Sequence, residues 1–420
     1  MSFARVPVQI TGLGAISPVG IGINEFRTSL REGITNFSIQ EFERGGQLFR
    51  YPVAKVKDFT FKEAIGSLSI NEKIISSAKR LRNISASTAN GIYSALEAWA
   101  DAGLHDADID LTKVAIVLGG SNTQQAMLQN VQEEYRDKLQ FINPNYGLNF
   151  FDTDTSGALS ELLGIRGEGH SIGGASASGN FALIQGHRLI NSGEYDVVVV
   201  VAPLMELSVY ELQGFTALGA MARVDENSTP SGLCRPFDTG HCGFVYGQVS
   251  GCIILESGEH AIKRRKKSYA SLEGYGVSMD ANRNPNPSVE GEKTAMLKAI
   301  KASGIRPNQI DYTNTHGTAS PTGDKTEVEA LLLAGLEGVK ANSTKSLIGH
   351  GLSAAGLVEA IATVIQMQEG FLHPSHNLQN PVSDKIDWIL DKAQQVNLGY
   401  ALSNSFGFGG INTSIILKNN

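Results

Sequence analysis

A chain of 420 residues, 41% hydrophobic and 18% charged, holds enough apolar material for a large core, which excludes disorder as its main state. Its formal charge of −7, from 35 basic and 42 acidic residues, argues against a dedicated nucleic-acid binder. No apolar run reaches the roughly 18–20 residues of a membrane helix, and Met1 to Ile10 lack an apolar signal core, so a cytoplasmic protein with no membrane partner is expected.

The elements alternate along the chain. Val6 to Thr11 reads as a strand ending in a tight turn at Gly12-Leu13-Gly14. Residues 85–104 read as a helix with small and apolar residues on recurring faces. Val114 to Leu118 is a strand, Phe181 to Ile190 a helix, and Asp196 to Ala202 a valine-rich buried strand. Strands follow at 253–256 and 269–275, a helix at 294–303, a strand at 310–315 and helices at 325–333 and 354–367. Segments 402–406 and 412–417 read as closing strands. This alternation predicts an α/β protein with covered sheets. A strand-then-glycine start near 6–14 recurs near 269–276, which suggests two related halves, 1–254 and 255–420. Stretches 36–60, 121–155 and 222–244 exceed ordinary connections and are candidate pocket-forming segments.

Three cysteines, Cys234, Cys242 and Cys252, make no disulfide framework and lack the CxxC spacing of a zinc site. Each reads as a buried small hydrophobe. The basic run 263–267 reads as a solvated helix C-terminus.

Several segments carry groups suited to chemistry. Gly12-Leu13-Gly14-Ala15-Ile16-Ser17 has serine where a dinucleotide fingerprint needs glycine, and Pro18 follows. Gly174-Ala175-Ser176-Ala177-Ser178-Gly179 lies between a short apolar run and a helix, where free N–H groups suit an anion or oxyanion. It misses the hydrolase elbow only because Ser178 stands in place of glycine. His316 and His350 each end an apolar segment beside a glycine and near a hydroxyl residue. A neutral imidazole there can donate to an oxyanion or pass a proton. Lys345 supplies a positive field, and Glu359 lies on the same loop–helix unit.

Together these residues resemble the β-ketoacyl synthase family, which has the thiolase fold. The resemblance spans nearly the whole chain. It rests on Ile10-Thr11-Gly12-Leu13-Gly14, Cys234-Arg235-Pro236-Phe237-Asp238, His316-Gly317-Thr318, Lys345-Ser346 through Gly349-His350, and Asn404-Ser405-Phe406-Gly407-Phe408-Gly409-Gly410. It implies two thiolase-like halves with mixed sheets in a layered α-β-α-β-α arrangement.

The family's nucleophile is a cysteine, and the matching position here is Ser176. A hydroxyl is far less acidic than a thiol and needs a positioned base, so acyl loading and carbon–carbon condensation should be impaired. By resemblance, His316 and His350 face the thioester oxygen of a malonyl unit and stabilise the enolate formed as CO₂ leaves. Phe408 and the backbone of Ser176 match an oxyanion hole, Phe406 and Phe408 match gating aromatics, and Thr318 and Ser320 match contacts to the phosphopantetheine arm. Serine for cysteine with both histidines kept resembles the decarboxylating homologues of polyketide β-branching cassettes. The expected function is decarboxylation of malonyl-acyl carrier protein to acetyl-acyl carrier protein, with no cofactor bound by the enzyme itself. Expected partners are an acyl carrier protein, a second copy in a homodimer, and functional coupling to a hydroxymethylglutaryl-synthase-like enzyme.

Three other readings remain open on the sequence. Ser176 could be a true acyltransferase or thioesterase nucleophile, with Asp324 or Glu327 orienting His350. Ser176 could be an engineered replacement in a condensing synthase. The chain could also be a non-catalytic partner subunit. Lys79, Arg80 and Arg82 offer local positive charge for carrier docking.

Overall fold

The computed structural model describes residues 7–420. Val6, where the first strand was expected to begin, lies outside them. The first half is built on β1 (Val8–Ser17), β2 (Val114–Gly119), β3 (Gly169–Ile172), β4 (Val197–Ala202) and β5 (Ser250–Ser257). Their order is β1-β5-β4-β2-β3, with β5 antiparallel to both neighbours and β4, β2 and β3 parallel. The second half is built on β6 (Ala270–Met279), β7 (Tyr312–Asn314), β8 (Lys340–Asn342), β9 (Tyr400–Gly407) and β10 (Ile411–Asn419). The order β6-β10-β9-β7-β8 repeats the first order, strand for strand and direction for direction. Antiparallel pairs Gln9–Ser271 and Ile10–Ala270 join β1 to β6, so hydrogen bonding runs continuously through both halves. The expected division at 254/255 falls inside β5. The strand order starts afresh at β6, and we propose the division in the 258–269 connection.

Five helices define the layers: α1 (Ala86–Ala102), α2 (Ser178–Ser192), α3 (Val289–Ser303), α4 (Pro321–Leu333) and α5 (Ala355–Glu369). Helix α1 covers β1 and β5 on one outer face, while α3, with α4 against it, covers β6 and β10 on the other. Helices α2 and α5 lie between the halves, against β4 and β2 and against β9 and β5 respectively. Of the fifteen residues of α5, all but Gln368 and Glu369 are buried, because protein surrounds it on every side. Strand β4 shows why its valines run without a polar break: Val198 and Val200 enter the central core, while Val197, Val199 and Val201 enter the core under α1. This is the layered α/β arrangement expected from the sequence.

Several expectations are corrected. β1 does not end at Gly12 but continues to Ser17. The glycines serve close packing: a Cβ on Gly12 would lie 2.2 Å from the Ala98 carbonyl oxygen, and one on Gly14 2.0 Å from that of Ser94. Helix α1 therefore rests directly on the backbone of β1. Stretch 36–60 holds a hairpin of Phe37–Arg44 and Gln47–Ala54, and 121–155 holds helices rather than open loop. Cys234 and Cys252 are buried, but Cys242 is exposed. The basic run is partly structural, since Arg264 pairs with buried Glu256 and Lys266 donates to the Asp101 carbonyl.

Candidate active site

The turn carrying Ser176 sits between β3 and α2, at the C-terminal end of parallel strands. Ala175 has φ +48°, a left-handed conformation that costs an L-residue roughly 1–2 kcal/mol. Three contacts hold the turn in that state. The Gly174 N–H donates to Ser178 Oγ at 2.9 Å, the Ser178 hydroxyl donates to the Ala175 carbonyl at 2.7 Å, and the Ser405 hydroxyl donates to the Ser176 carbonyl at 2.8 Å. Gly407, at the end of β9, lies so close that a Cβ there would be 2.4 Å from the Gly174 carbonyl oxygen. A glycine in the second half thus lets the two halves meet at Ser176.

His316 follows β7, and His350 follows a short turn after β8. Ser176 Oγ is 2.9 Å from His350 Nε2. The two imidazoles meet edge to face, with centroids 5.5 Å apart. The Leu352 N–H donates to His350 Nδ1 at 3.3 Å, and Lys345 Nζ lies 3.4 Å from His316 Nδ1. An ammonium offers only donors, so both Nδ1 atoms accept and both Nε2 atoms carry hydrogen. Burial holds both imidazole pKa values well below the usual 6.5, and the Lys345 charge adds to the effect. Both rings are therefore neutral donors at neutral pH.

Lys345 and Glu359 are buried together behind the rings. Lys345 Nζ donates to Glu359 Oε1 and to the His316 carbonyl. Burial pushes the Glu359 carboxyl up to about 7, and Lys345 pulls the other way. Neither residue lines the cavity, so their influence reaches it through His316.

Phe406, Phe408, Thr318 and Ser320 line the same cavity of about 490 Å³ as Ser176 and the two histidines. Phe406 is buried with its ring 5.6 Å from His316, whereas Phe408 is 41% exposed at the mouth. Thr318 and Ser320 hydroxyls are 3.0 Å apart. Phe244 packs edge-on to His350 at 5.3 Å and Phe215 lies 6.4 Å from Phe408, two aromatics of the cavity not singled out in the sequence.

The Ser–His–acid arrangement considered for a nucleophilic serine is not assembled. Glu327 accepts the His316 and Gly317 N–H groups, each at 2.8 Å, and the Asn404 amide at 3.1 Å. Asp324 accepts from the Phe237 N–H at 2.7 Å and the Ala319 N–H at 3.1 Å, and pairs with His241 at 2.9 Å. These carboxylates hold the backbone of the His316 loop instead of orienting His350. Their spacing of three on a helix opened by Pro321, just after His316-Gly317-Thr318, was the available signal. His350 also has its hydrogen on Nε2, the wrong tautomer to take a proton from Ser176.

Comparison with known families agrees with this geometry. The model for the β-ketoacyl synthase N-terminal domain matches residues 5–261, and that for the C-terminal domain matches residues 269–379. The chain belongs to the β-ketoacyl synthase family. It is 40% identical over 413 residues to the polyketide biosynthesis malonyl-ACP decarboxylase PksF of Bacillus subtilis, covering 98% of this chain and 96% of that protein. It is 32% identical over 424 residues to the 3-oxoacyl-[acyl-carrier-protein] synthase 2 of Vibrio harveyi, covering 98% of both. Among solved structures, the ishigamide ketosynthase/chain length factor superposes with a TM-score of 0.87 at 25% identity, covering 99% of this chain and 100% of that one. A synthase chain from the AntDE:AntF acyl-carrier-protein complex gives 0.85 at 25% identity, with 99% and 100% covered.

Proposed function

We propose that this protein decarboxylates a malonyl unit carried on an acyl carrier protein, giving the acetyl thioester and CO₂ without an acyl-enzyme. The observation that carries this reading is the pair of neutral Nε2–H donors, His316 and His350, converging beside a serine that cannot supply a thiolate. The carbon–carbon bond to the carboxylate breaks, CO₂ leaves, and the bonding pair becomes an enolate. The two imidazole donors hold its oxygen, each contributing about 10²–10³ in rate by analogy with other oxyanion donors. A proton then adds to the α-carbon and restores the carbonyl.

The similarity to a malonyl-ACP decarboxylase over nearly the whole chain supports this reading over condensation. The phosphopantetheine arm arrives with the carrier, so no cofactor resident on the enzyme enters the reaction. We assign Thr318 and Ser320 to hydrogen bonds with that arm, Phe408 to the cavity mouth and, with the Ser176 backbone, to an oxyanion hole. Phe406 closes the cavity against His316. Likeness to a synthase in complex with its carrier supports carrier docking at this mouth. A homodimer, a cytoplasmic location and coupling to a hydroxymethylglutaryl-synthase-like enzyme complete the proposal.

Mass spectrometry of the carrier arm tests it. Wild-type enzyme is expected to convert malonyl to acetyl without mass gain on the enzyme. An unchanged malonyl mass would overturn the assignment.

A further inference from the structure

Decarboxylation consumes one proton, and the groups that hold the enolate oxygen are poor sources of it. Both histidines are neutral, with Nδ1 already accepting and the Nε2 hydrogen committed to the oxygen. Lys345 lies behind His316 and does not line the cavity. Three carboxyl groups do line it: Asp280, Glu292 and Glu327. Asp280 is engaged by the Asn412 amide at 2.7 Å, and Glu327 by the His316 loop and Asn404. Glu292, in the first turn of α3, is 1% exposed, and its Oε2 is buried without a hydrogen-bond partner among the described residues.

We propose that Glu292 is the acid that delivers the proton to the α-carbon of the enolate, an inference that rests on the decarboxylase reading above. Its hydrogen passes to carbon as the carbonyl re-forms, and the resulting carboxylate recovers a proton from water. The surroundings keep Glu292 in the acid form between turnovers. Burial raises its pKa well above the ordinary 4.5. The carboxyl groups facing it, Glu327 and Asp324 from α4 and Asp280 at the end of β6, push in the same direction. A neutral acid also places no second negative charge beside the incoming malonyl carboxylate.

The test follows stereochemistry, which a packing role does not control. Carrier-bound malonyl, deuterated stereospecifically at its methylene, is turned over once in tritiated water, and the configuration of the chiral acetyl methyl is read. Wild type is expected to give one configuration. Glu292→Gln is expected to give a mixture, with turnover reduced about 10²-fold, the lower end for loss of a general acid. Glu292→Asp restores an acid and is expected to recover the single configuration. A single configuration from Glu292→Gln, or mixtures from both variants, overturns the assignment. Failure of wild type to release CO₂ overturns the decarboxylase reading, and this proposal with it.

Discussion

The Ser176 hydroxyl oxygen lies 2.9 Å from His350 Nε2 and accepts its hydrogen, because the Leu352 N–H occupies His350 Nδ1. This one contact separates two chemistries. A base for serine needs a bare Nε2, whereas an oxyanion donor needs the hydrogen there. The backbone has selected the donor.

Ser176 is therefore expected to be dispensable for CO₂ release. Ser176→Ala should keep decarboxylation within about tenfold of wild type, since no covalent step depends on the hydroxyl. Ser176→Cys places a thiol in the strained turn ahead of α2 and should gain a mass increment from acyl loading. Intact-protein mass spectrometry with acyl- and malonyl-loaded carrier checks both. A trapped ester on wild-type Ser176 would contradict the first expectation.

Truncating either imidazole should cut CO₂ release by about 10²–10³, the cost of one oxyanion donor. His316→Ala and His350→Ala should leave carrier binding nearly unchanged, so the loss appears in kcat rather than KM. Steady-state kinetics of acetyl-carrier formation measures the split.

Both histidine pKa values are depressed on folding, which gives two pH signatures. The folded rings stay neutral as pH falls through 6.5, so the acid limb of kcat/KM should lie below the range of an ordinary histidine. Stability moves the other way. Below pH 6.5 the unfolded chain binds protons that the folded chain refuses, so stability falls as pH drops, by up to about 1.4 kcal/mol per pH unit for each ring. Urea midpoints at about pH 7.5 and 5.5 should converge in His350→Asn relative to wild type, because one such proton uptake has been removed.

Gly407→Ala should harm the site more than its size suggests. The added Cβ would meet the Gly174 carbonyl oxygen at 2.4 Å, and the Ser176 and Ala177 amides are also within 3.3 Å. Backbone must move, at roughly 1–3 kcal/mol. Lowered thermal midpoint together with loss of CO₂ release is expected, whereas Gly409→Ala, where nothing lies within 4 Å of the added carbon, should show only the strain of its φ of +89°.

Much of this protein follows from its residue pattern. The unbroken valines of β4 announce a strand covered on both faces, and the alternation of strands with small-residue helices announces the layered class, because burial on each face dictates residue type locally. His316, His350 and Ser176 stood out as candidates for a related reason: each stands in a short glycine-marked motif, and the structure brings the three to one cavity. What the chain could not declare is anything set by how its packed elements meet in space. Gly12 and Gly14 look like turn formers in isolation, yet they are grooves for α1, since only the packed helix reveals which backbone they must admit. Asp324 and Glu327 look like partners for His350, yet they bind backbone amides and, for Asp324, the His241 ring, because hydrogen-bond geometry belongs to the folded loop. The position of the hydrogen on His350 is set by the Leu352 N–H of its own turn, and the carboxyl of Glu292 faces Asp280, Asp324 and Glu327, so both depend on where the folded backbone places its groups rather than on residue type alone. Composition sets what is buried, but only tertiary contact decides which atom of a buried polar group is left free to act.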